Sequence, residues 1–148
     1  MSIGFLEQAR RNAVALISLV IAISSLSYNT WRNELTEQNR NVREAGFVIL
    51  IKLGELERSV FHAHYDKDTN KGNPRTGWSY VLVIKDLGQL MPDPLPEQTQ
   101  QLVKVWKQNW EQLGQNSPGD QNTHGAELIL KQIDVLRQVV LTTMNKLK

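Results

Sequence analysis

The sequence predicts an all-α protein: a single N-terminal transmembrane helix that continues into an up-and-down four-helix bundle. Three observations predict it. An uncharged apolar run, Ala13 to Leu26, lies behind Arg10 and Arg11 and ahead of Tyr28 and Trp31. Apolar residues then recur every seven positions from Leu35, with no proline before Pro74. Further amphipathic segments follow, separated by Pro-, Gly- and Asn-rich stretches without a hairpin signal. The reading divides the chain into a short tail (1–12), a transmembrane helix (13–31) and a stalk plus helical bundle (32–148).

The apolar core of the first segment is short for a span, because crossing hydrocarbon takes about 20 residues at 1.5 Å each. Extension to Trp31 supplies the length by admitting Asn29 and Thr30. Arg10 and Arg11 on one side, with Tyr28 and Trp31 on the other, are the expected interface anchors. A signal peptide cleaved near residue 27 is the competing reading: basic n-region, apolar h-region, then small Ser25 and Ser27. The twin-arginine export pattern does not apply, because Asn12-Ala13-Val14 follows the arginine pair. Nearby basic residues do not discriminate orientation, with Arg32, Arg40 and Arg43 on the far side. Retention of two arginines and the α-amine on the cytoplasmic side favours a cytoplasmic N-terminus and a periplasmic body. The absence of cysteine agrees with an oxidising compartment. Ala15, Ser18, Ala22 and Ser25, spaced three, four and three apart, put small residues on one face. A second membrane helix would pack closely there.

After the span, Leu35, Val42, Ile49 and Leu56, with Gly46, Leu53 and Val60 at the offset positions, form an a/d seam. One helix is expected from the membrane to about Tyr65, with Arg32–Glu44 solvated and the run Phe47–Ile51 buried on several sides. Asp66–Gly77 reads as a loop. Trp78–Met91 reads as a helix on the spacing of Val81, Ile84, Lys85 and Gly88, although Tyr80–Ile84 alone resembles a buried strand. Pro92, Pro94 and Pro96 end it, and Pro96 suits the first turn of the next helix. That helix runs to about Leu113, with Leu102, Val103, Trp106, Trp110 and Leu113 on one face. The last begins near Thr123, with Ile129, Ile133, Leu136, Val140, Thr143 and Leu147 as its seam.

Composition excludes some functions. A net charge of +2, with acids and bases interspersed, gives no electrostatic stripe for nucleic acid. No phosphate-cradling glycine loop, nucleophile elbow or His-Glu-x-x-His occurs. Glu55 and Glu57 lie two apart on a helix and read as solvated. The metal-site candidates are His62, His64, Asp66, Asp68 and Asn70. A His-x-His pair shares an ion well on a strand, but on a helix the two side chains diverge by roughly 200°. Asp66-x-Asp68-x-Asn70-x-Gly72 resembles the start of a calcium loop. It departs from it at Lys71, where glycine is needed, and at Gly77, where a bidentate glutamate closes such a site. An Asx- and Gly-rich turn is the simpler account. Trp106 and Trp110 read as core; facing outward, they would make a hot spot for a protein partner.

Tyr28-Asn29-Thr30-Trp31-Arg32-Asn33-Glu34, His62-Ala63-His64-Tyr65-Asp66-Lys67-Asp68 and Gly72-Asn73-Pro74-Arg75 resemble a group of uncharacterised small bacterial proteins with one N-terminal transmembrane helix and a helical soluble domain. The resemblance covers the anchor and the first half of the chain. It implies a bacterial origin and a single-pass inner-membrane architecture, and it carries no activity or site residues.

The expected function is therefore non-enzymatic and cofactor-free: a membrane-tethered accessory or scaffold subunit. Its partners would be the lipid bilayer and an integral membrane protein complex or a second copy, with no nucleic acid. The alternative is a periplasmic ligand- or metal-sensing bundle, in which the loop after His64 binds something and tilts the long helix.

Overall fold

The computed structural model describes residues 4–68, 70–113 and 121–147. They form α1 (Phe5–Arg11), α2 (Ala13–His64), α3 (Pro74–Gly88), α4 (Leu95–Asn109) with a 3₁₀ turn at Trp110–Gln112, and α5 (Gln121–Lys146). The chain divides into two compact units, Met1–Gln38 and Asn39–Lys148. The first holds α1 and the apolar part of α2. Helix α1 lies within the expected tail and ends at Asn12, whose φ of −100° and ψ of 12° leave helical geometry.

The second unit packs four helices against one another: the remainder of α2, then α3, α4 and α5. Direction follows from paired contacts. Arg43 Nη2 donates to the Leu147 carbonyl at 2.8 Å, and Glu57 pairs with Arg137 at 2.5 Å, so α2 and α5 are antiparallel. Trp78 packs on Trp106 and Trp110, while Gly88 faces Thr99, so α3 and α4 are antiparallel too. The core is Ile49, Leu53, Leu56 and Val60 of α2, Val81 and Ile84 of α3, Leu95, Leu102 and Trp106 of α4, and Ile129, Ile133, Leu136 and Val140 of α5. All are fully buried. The seams expected on α2 and α5 supply most of these residues.

Four expectations are corrected. The run Phe47–Ile51 is not buried on several sides: Ile49 is buried, but Phe47 and Ile51 are 58% and 60% exposed. Five consecutive apolar residues cover every face of a helix, and only the seam face meets α3 and α5. Residue Leu35, placed in the same seam, is also exposed. The loop after α2 is shorter than composition suggests, because α3 starts at Pro74 rather than Trp78. The Asn73 side chain accepts from the Arg75 N–H at 3.0 Å, and Pro74 takes the first helical position, where its missing donor costs nothing. Gly77, read as a loop residue, is a crossing point: a Cβ there would collide with the Trp106 ring. Helix α2 stops where Lys67 enters the left-handed region at φ 54° and the Asp66 N–H bonds back to the Phe61 carbonyl.

Candidate functional site

Among the described residues, one helix is long and apolar enough to cross a membrane, and it lies near the N-terminus, as an anchor or a signal sequence would. Its best 18-residue window has a mean hydropathy of 1.7, and none of that window is buried. The core helix of a soluble protein would bury such a surface. Ala15, Ser18, Ala22 and Ser25 are all exposed. Two hydroxyls in this segment are satisfied within the helix: Ser18 Oγ donates to the Val14 carbonyl at 2.8 Å, and Thr30 Oγ1 to the Leu26 carbonyl at 3.0 Å. Such back-bonding lets polar side chains enter hydrocarbon without a lost hydrogen bond. The rings of Tyr28 and Trp31 stand 6.3 Å apart, both exposed, at the end of the apolar run. Arg10 and Arg11 occupy the last turn of α1.

The histidine pair separates as helical geometry requires. His62 Nδ1 lies 2.7 Å from Asp66 Oδ2. His64 turns elsewhere: its ring stands edge-on to Tyr65, and its Nδ1 is buried without a hydrogen-bond partner among the described residues. Burial, reinforced by nearby Lys67, holds the His64 pKa below its ordinary value. Asp68 Oδ1 accepts from the Asn70 and Lys71 N–H groups, both at 3.0 Å, which makes an Asx turn. The hydrogen bond from the Lys71 N–H is the main reason that the Asp68 pKa lies below the usual carboxylate range. No group of three His, Cys, Asp or Glu positioned to hold a metal occurs among the described residues.

Trp106 is fully buried, so it offers no outer surface, and Trp110 is half-buried against Trp78. Glu55 and Glu57 are not the freely solvated pair expected. Each is half-buried and engaged, Glu55 with Lys52 at 2.7 Å and Glu57 with Arg137. Sequence reasoning also missed outward apolar side chains of the bundle unit, among them Phe47, Ile51 and, beyond α3, Leu90 at 69% exposure. A groove of about 420 Å³ lined by Pro92, Pro94, Val139, Thr143 and Leu147 is a further feature invisible in sequence. No family model, curated protein or solved structure matches the chain. What stands is an all-helical protein with one long apolar N-terminal helix.

Proposed function

We propose that the chain is a non-enzymatic, single-pass membrane protein of the bacterial inner membrane, an accessory or scaffold subunit that docks on an integral membrane protein complex or on a second copy of itself. The observation that carries this reading is the wholly exposed apolar window of α2, ending in the Tyr28–Trp31 ring pair. A surface of that size is stable in water only when something covers it, and a bilayer does so. The N-terminal tail with Arg10 and Arg11 stays cytoplasmic, and the bundle of residues 39–148 lies in the periplasm. Ala15, Ser18, Ala22 and Ser25 form the helix-packing face, helped by the internal bonding of Ser18. Phe47, Ile51 and Leu90 add apolar contact area on the bundle unit.

Extraction in a mild detergent, followed by mass measurement, tests the reading. The expected particle exceeds one 16.9 kDa chain plus its micelle and shrinks when Ser18 and Ala22 are both replaced by Leu. A lone monomer in every mild detergent overturns the docking role. Release of the protein from membranes as a chain lacking residues 1–27 overturns the anchor.

A further inference from the structure

A polar pocket of about 180 Å³, open to solvent on one side, lies between α2 and α3, and Arg58, Lys71 and Thr76 on its wall are exposed. Helix α2 contributes Arg58, Ser59 and His62 to its wall, Lys71 comes from the loop, and Thr76 and Tyr80 come from the first half of α3. Six donor-bearing side chains thus line it, of which His62 already holds the Asp66 carboxylate at 2.7 Å through Nδ1. The one acid among its lining residues, Glu55, is already held by Lys52 at 2.7 Å. Arg58 makes no ion pair or hydrogen bond with any described residue. Lys71 has only a loose contact with Asp68, at 3.8 Å. The positive end of the α3 dipole lies on the same side and adds to the field.

Ser59 is the telling group. It is only 5% exposed, and its Oγ is buried with no hydrogen-bond partner among the described residues. A helical serine ordinarily returns its hydroxyl to the carbonyl four residues back, as Ser18 does. A buried hydroxyl left unpaired destabilises the fold. Ser59 lines the pocket, so a rotation about its χ1 would turn the hydroxyl toward an acceptor held there.

We propose that this cavity binds a phosphate group, either free or as the monoester head of a small molecule. Donors arrive from α2, from the loop and from α3, and a tetrahedral anion can accept from all three directions. A planar carboxylate presents two oxygens in one plane and would leave part of the set unused. The assignment does not depend on the membrane reading, because every lining residue belongs to the Asn39–Lys148 unit.

The test is calorimetric titration of the full chain in detergent micelles, at constant ionic strength in chloride, with inorganic phosphate and, separately, with short-chain phosphatidic acid. Saturable binding of one ligand per chain is expected, weakened about tenfold or more by Arg58→Ala and by Ser59→Ala. Ser59→Ala keeps the charge and favours helix, so circular dichroism and Tm will report a folded chain. Lys104→Ala, on α4, removes the same charge away from the cavity and should leave affinity within about twofold. Binding of phosphatidic acid alone, lost in the same two variants, assigns the group to a lipid headgroup; binding of inorganic phosphate assigns it to a soluble ligand. The proposal is overturned if neither probe binds saturably, if Arg58→Ala or Ser59→Ala binds as the wild type does, or if Lys104→Ala weakens binding as much as Arg58→Ala.

Discussion

A Cβ on Gly77 would collide with Cζ2 and Cη2 of Trp106, whose buried ring is braced edge-on by Trp78 at 6.4 Å. The ring has nowhere to retreat, so Gly77→Ala should cost about 1–2 kcal/mol by overpacking, net of the helix propensity it gains. Gly54→Ala is the control. Nothing lies within 4 Å of its added methyl, and it should stabilise α2 by about 0.5–1 kcal/mol. Urea unfolding followed by circular dichroism measures both. Gly77 looked like loop punctuation in sequence because its crossing partner is 29 positions away, which no local pattern reveals. The histidines carry a second residue-scale prediction. In the unfolded chain His64 titrates near 6.5, and folding holds it lower by burying it. Between those two values the unfolded chain carries a proton that the folded chain lacks. Stability is therefore full above the unfolded pKa and falls as pH drops below it, through the lowered folded value. His64→Gln should flatten that limb of a plot of ΔG against pH.

At the scale of elements, α2 shows what periodicity can and cannot specify. Of the expected heptad positions, Val42, Ile49, Leu56, Gly46, Leu53 and Val60 are buried, because a seam repeating every three and four residues turns one stripe inward, whereas Leu35, the first, is exposed. The run Phe47–Ile51 has no period of its own, so its outward members could not be separated from Ile49 without knowing which face meets α3 and α5. The polar cavity was illegible for a related reason: α2 and α3 are adjacent, yet Arg58, Lys71 and Tyr80 become one cluster only when the chain reverses at Lys67. Truncation should sort the apolar faces cleanly. Ile49→Ala removes a fully buried side chain and should cost about 2–5 kcal/mol. Phe47→Ser and Ile51→Ser should each change stability by less than about 0.5 kcal/mol. Between elements, Arg137 bridges Glu57 of α2 and Asp134 of its own helix, both at 2.5 Å. Arg137→Ala should cost about 1 kcal/mol, more than loss of the exposed Arg40–Glu44 contact at 3.8 Å.

For the whole molecule, the division at Gln38 and Asn39 matters because each unit meets a different solvent in the proposed function. Among the described residues, every member of the hydrophobic core lies in 39–148, so that piece should fold as a soluble, cooperative helical domain without residues 1–38. The full chain, in contrast, should remain in membranes through high salt and alkaline carbonate washes, because no described part of the chain covers its apolar window. The absence of cysteine makes orientation directly measurable, since a single introduced thiol carries the whole signal. Gln8→Cys and Asn145→Cys place that thiol at exposed positions in the tail and near the end of the bundle. In intact spheroplasts, a membrane-impermeant maleimide should label Asn145→Cys at once and Gln8→Cys only after lysis. The arginine pair before the span predicts this asymmetry, because the cytoplasmic face retains cations during insertion. The opposite pattern would put the bundle in the cytoplasm. Labelling of both before lysis, together with release of the carbonate-washed chain into solution, would mean that the apolar helix is covered by protein rather than by lipid.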